Sequence, residues 1–186
     1  MNKKEERIFF TLSNVLDRKD TKTAEDILAS CPSILSTKWK GMTLLYVACM
    51  RNRAYAASFL LDHGADANVR DRRGDTPLHI ACYYGNHGVA RLLLEHGAEV
   101  DASDTDGWTP LHNACFDGHA ATVRLLLDHG ADPDARNDEG EAPLDVMLRS
   151  VIDQEQNQAI LELFQERFPE QYFSAWCQAP ARGGGI

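Results

Sequence analysis

The sequence predicts an all-α fold: a solenoid of about five stacked helix-turn-helix units with short β-turn fingers. Three observations lead there. Gly41, Gly74, Gly107 and Gly140 recur at 33-residue intervals, as do Thr43, Thr76 and Thr109, and Gly64, Gly97 and Gly130. Leucine pairs keep the same step at Leu60-Leu61, Leu93-Leu94 and Leu126-Leu127. Each period holds one turn and two apolar stripes, too little to bury its own hydrophobic face, so copies must stack.

The elements of one unit follow in order. Asp and Gly make a turn in "DRRGD" (71–75) and "DTDGW" (104–108). Thr76 or Thr109 then caps a helix whose first residue is proline, where the missing N–H costs nothing. That helix stops at Gly85 or Gly118, and a second one, apolar along "VARLLL" or "TVRLLL", runs to the glycine of "HGA". This gives full units at 38–70, 71–103 and 104–136. Ile27-Leu28 keep the register, so 1–37 reads as a degenerate N-terminal cap. Pro143 and Leu144 align with Pro110 and Leu111, so 137–168 reads as a C-terminal cap. The 169–186 tail leaves the register. Phe168, Tyr172, Phe173 and Trp176 suggest a short amphipathic segment there, covering the stack end or meeting a partner, and "APARGGGI" is expected to be disordered.

Composition narrows the function. With 186 residues and a net charge of −9, the chain lacks the basic domain of a nucleic-acid binder. No apolar run approaches the roughly 20 residues that span a bilayer, and the N-terminus has no secretory pattern. Five cysteines without an evident pairing suit a reducing compartment, cytosol or nucleus.

Two His-x-x-Cys pairs, His79 with Cys82 and His112 with Cys115, raise the question of metal or thiol chemistry. The period answers it. Cys49, Cys82 and Cys115 share one repeat position, and packed helices lie about 8–10 Å apart. A disulfide needs Cα atoms within about 7 Å, and zinc sits about 2.3 Å from each sulfur. The thiols therefore read as small core side chains, with no metal, disulfide or cofactor expected. His63, His96 and His129 fall at second-helix ends, where the helix dipole favours them. No nucleophile elbow, phosphate loop or metalloprotease motif is present, and acid pairs such as Asp104 with Asp106 read as solvating turn charges. A non-catalytic protein is expected.

The T-P-L-H-x-A pattern on a 33-residue period resembles the ankyrin repeat, over about residues 38–148. Departures fall at the ends: Leu44 and Tyr46 replace Pro and His in the first full repeat, and Ala142 and Asp145 replace Thr and His in the last. The resemblance implies that His79 and His112 tie neighbouring turns together. It implies a protein-interaction module, monomeric on its own, that binds a protein partner in a concave groove. Carried onto this chain, the groove positions with the character of binding residues are Trp39, Met50, Arg51, Arg72, Arg73, Tyr83, Tyr84, Trp108, Phe116 and Asp117. Trp108 reads equally as a packing residue of its turn. The groove is expected to run from basic, through Arg51, Arg72 and Arg73, to acidic, through Asp106, Asp117 and Glu141, and so to orient its partner.

A narrower likeness, in "DGWTPLHNACFDG" and "NDEGEAPLDV", is to myosin-phosphatase-targeting regulatory subunits of protein phosphatase 1. Arg7-Ile8-Phe9-Phe10 fits the outline of their docking motif. That role needs an extended, exposed segment, whereas Ile8, Leu12, Val15 and Leu16 have helical spacing.

Overall fold

Caps decide where the helices begin. In the computed structural model, which describes residues 3–149 and 154–169, the repeating helices are α3 (Leu44–Met50), α4 (Ala54–Asp62), α5 (Pro77–Tyr83), α6 (His87–Glu95), α7 (Pro110–Phe116), α8 (Ala120–Asp128), α9 (Pro143–Arg149) and α10 (Gln154–Arg167). They follow α1 (Lys3–Asp17), α2 (Thr21–Ser30) and a 3-10 turn over Pro32–Leu35. The described residues contain no strand, only an isolated bridge between Trp39 and Met42. Thr43, Thr76 and Thr109 each accept the backbone N–H three residues on.

Helices of seven residues are far below the length that is stable alone in water. Stacking holds them. First helices pack in one row, α3 on α5 on α7 on α9, and second helices in another, α4 on α6 on α8 on α10. Leu60, Leu93 and Leu126 are each at most 1% exposed, so one core runs the length of the stack. Cys49, Cys82 and Cys115 lie fully buried in it as free thiols. Burial pushes all three thiols well above the ordinary cysteine range, which keeps these three from acting as thiolate nucleophiles.

The second helices end on histidine. Nδ1 of His63, His96 and His129 donates to the carbonyl four residues back, at 2.7, 2.8 and 2.8 Å. The histidine ladder is thus a set of hydrogen-bonded C-caps, a more specific device than the dipole the sequence suggested.

The ends are built differently. Helix α1 is twice the length of a repeat helix and lies against α4. Arg53 pairs with Asp17 at 3.5 Å, and the Thr21 and Tyr55 hydroxyls meet at 3.1 Å. Arg7-Ile8-Phe9-Phe10 sits inside α1, with Phe9 2% and Phe10 42% exposed, so the segment is not extended. At the other end α10 buries Ile160, Leu163 and Phe164. Arg167 donates to the Leu127 carbonyl at 2.9 Å and pairs with Asp128, closing the end of α8. Phe168 packs at a tilt against Phe164, with ring centroids 6.2 Å apart, whereas Tyr172, Phe173, Trp176 and the glycine-rich end lie outside the described residues.

Candidate partner-binding groove

The groove is built from the turns. The Asp71 carboxylate accepts the N–H groups of Arg73 and Asp75, at 2.8 and 3.0 Å. Asp104 does the same for Asp106 and Trp108, and Asn137 for Glu139 and Glu141. Neighbouring turns are then joined by their backbones: Thr105 N–H donates to the Arg73 carbonyl at 2.9 Å, and Asp138 N–H to the Asp106 carbonyl at 3.0 Å.

The buried histidines lock this alignment. Nδ1 of His79 accepts the Thr76 N–H at 3.1 Å, which leaves its proton on Nε2. Nε2 donates to the Trp108 carbonyl of the next turn at 3.0 Å. His112 repeats the pattern with Thr109 and the Glu141 carbonyl. Both ring nitrogens are engaged, so neither imidazole serves Cys82 or Cys115 as a base. Burial lowers the pKa of both histidines and keeps them neutral.

Between the turns and the C-terminal ends of α3, α5 and α7 lies a groove of about 580 Å³. Aromatic rings form its walls. Tyr83 and Tyr84 are 46% and 49% exposed and meet edge to face at 5.1 Å. Trp108 packs edge to face on Phe116 at 5.5 Å, and Tyr46 comes from α3. The groove also contains four carboxylates, of Asp71, Asp75, Asp104 and Asp106. Tyr46 donates to Asp71 at 3.1 Å. Asp75 is 7% exposed, and among the described residues its carboxylate accepts no hydrogen bond. Its cation is Arg73, with Nε 3.8 Å away. Burial, and then the charge of Asp71, push the Asp75 carboxyl up to about 6.

Met50, Arg73, Tyr83, Tyr84, Trp108 and Phe116 of the expected binding set line this groove. Trp39, Arg51, Arg72 and Asp117 do not. Trp39 packs on Phe10 at 5.0 Å, beneath the Lys40 ammonium at 4.6 Å, and so covers the N-terminal helix. Arg51 is the exposed C-cap residue of α3, and Arg72 lies over Gly41. Asp117 caps α7 half-buried, where burial raises its carboxyl. Other basic groups stitch the turns: Lys38 donates to the Arg70 carbonyl at 2.7 Å, and Arg70 to the carbonyls of Gly74 and Ser103. Sequence reasoning missed Tyr46, Asp71 and Asp104 as groove residues. Their signal was visible, because Asp71 and Asp104 share one repeat position, but it spoke only of turn formation.

The fold accords with comparisons to known proteins. A family model describing ankyrin repeats in three copies matches residues 14–104, and one describing ankyrin repeats in many copies matches 93–146. No curated protein matches the chain. The chain belongs to the ankyrin-repeat family, whose members are in general protein–protein interaction modules and typically non-catalytic. No described helix is long and apolar enough to cross a membrane, and no described group of three or more His, Cys, Asp or Glu is placed to hold a metal ion.

Proposed function

We propose that this ankyrin-repeat chain is a non-catalytic adaptor or regulatory subunit that binds a protein partner in the groove. Tyr83 and Tyr84 carry the reading. Large aromatic side chains at nearly half exposure beside an open groove, where the core does not need them, have the character of binding hot spots. Family membership supports an interaction role, and the acidic balance supports a protein rather than nucleic acid as partner. Cytosol or nucleus suits the free cysteines, and a monomer is proposed for the chain alone. The phosphatase-subunit reading would need Arg7-Ile8-Phe9-Phe10, helical within α1, to unwind into an extended segment.

Affinity purification with mass spectrometry would name partners, and calorimetry would then locate the contact. Tyr83→Ala and Tyr84→Ala should each weaken binding by about 2 kcal/mol or more, roughly thirty-fold. Glu95→Lys, on the exposed end of α6, should change little. Normal binding by both tyrosine variants together with loss in Glu95→Lys would place the partner on the other face.

A further inference from the structure

The groove carries aromatic walls and a buried carboxylate with no hydrogen bond, and that pairing selects a ligand. We infer that the groove accepts an arginine side chain from an extended segment of a protein partner, with its guanidinium between the tyrosines and Asp75. The inference rests on the groove being the partner site, and names what the partner must bring.

Three observations converge. Asp75 is nine-tenths buried, lines the groove and accepts no hydrogen bond among the described residues, while Asp71, Asp104 and Asp106 add charge of the same sign. A largely buried carboxylate among like charges gains when a donor in the groove meets it. Tyr83, Tyr84 and Trp108 offer ring faces and edges beside those carboxylates. A planar guanidinium can stack on aromatic rings and donate in a fork to a carboxylate, which an ammonium does less well. Finally, the chain places a guanidinium of its own there. Arg73 reaches Asp75 only at 3.8 Å, beyond a hydrogen bond, and is 72% exposed. It is a loose internal stand-in that an incoming arginine displaces.

The occupant is a peptide-like segment because the groove is open along the turns, whose backbone groups are spent on one another. Specificity then comes from side-chain pockets. Binding opposes Arg73 to the partner's arginine, so this residue, expected from sequence to contact the partner favourably, acts as a competitor.

A phage-displayed library of random dodecapeptides, selected on the full chain, provides the test. Enriched peptides should share one fixed arginine, whose change to alanine weakens binding at least about tenfold. Asp75→Asn should weaken the arginine peptide similarly and leave its alanine version unchanged, whereas Arg73→Gln should tighten the arginine peptide. Thermal melts control for folding: Asp75→Asn should melt no lower than the parent at neutral pH, since ionised Asp75 is the form that burial disfavours. Enriched peptides that lack a fixed cation yet fail to bind Tyr83→Ala would overturn the arginine and leave the groove reading intact. A fixed lysine equally overturns the guanidinium, and an empty selection overturns the inference. Peptides that bind Tyr83→Ala and Tyr84→Ala normally overturn the inference and the groove together.

Discussion

The two central junctions and the two terminal ones occupy the same repeat position but solve it with different chemistry. At the centre, His79 and His112 are fully buried and hydrogen-bond at both nitrogens, to their own helix cap and to the next turn. In the first full repeat Tyr46 replaces histidine, loses the bond to its own cap, and reaches forward to the Asp71 side chain. In the last, Asp145 accepts the Ala142 N–H at 2.9 Å and pairs with Arg136 at 2.9 Å. Each central histidine side chain holds both a helix start and the following turn, whereas the Tyr46 side chain holds the following turn and that of Asp145 the helix start.

Removing a central histidine should break this comparison most severely. His79→Ala or His112→Ala leaves buried backbone groups unmet on both sides, a loss of about 3 kcal/mol by denaturant unfolding. A cost below about 1 kcal/mol would make the junction decorative.

Next in size is a pair of glycines. Gly107 has φ +75°, and a Cβ there would meet the Asp138 backbone nitrogen at 2.9 Å, across the turn-to-turn contact. Gly130 has φ +84° with nothing within 4 Å. Gly107→Ala should therefore cost roughly 2 kcal/mol or more, and Gly130→Ala about 1 kcal/mol, from backbone strain alone. Equal melting temperatures for the two would show that the turns give way without penalty.

The terminal substitutes should matter less. Asp145→Ala removes a helix cap and an exposed ion pair, for about 1 kcal/mol. Tyr46→Phe removes one hydrogen bond, also about 1 kcal/mol. If either matched a central histidine, the distinction between centre and end would fail.

The smallest signal is in pH. Histidines whose folded pKa is lowered stay neutral in the native state while the unfolded chain takes up protons below about 6.5. Their contribution is complete above that value and declines as pH falls toward the folded pKa. Asp75, raised to about 6, acts in the opposite sense and gains as pH falls through that value. The difference between the parent and His112→Gln stability profiles isolates the histidine. That difference should shrink on acidification from pH 7 to 5, and a flat one would mean that His112 is protonated in the folded state.

Much of the fold was legible because the 33-residue period writes each local rule several times. Thr76 and Thr109 cap where a cap was expected, Pro77 and Pro110 open their helices, and the leucine pairs mark the core row. The groove was only half legible. Tyr83 and Tyr84 betrayed themselves as large residues at positions with no core to fill. Arg72 and Trp39 share a turn-tip position that the resemblance also placed in the groove, yet one lies over Gly41 and the other packs on Phe10.

The sequence by itself determined the helix pairs, their caps, the buried fate of Cys49, Cys82 and Cys115 and the stacking of units, because each depends on spacing along one chain or on the same spacing repeated. Only the tertiary structure decided which side chains share the groove. Asp71, Asp75, Asp104 and Asp106 come from two turns a full repeat apart, and they meet because backbone bonds such as Thr105 to Arg73 hold those turns in line. Burial of Asp75 beside the other three, and the incomplete reach of Arg73, are properties of that alignment and of no single turn.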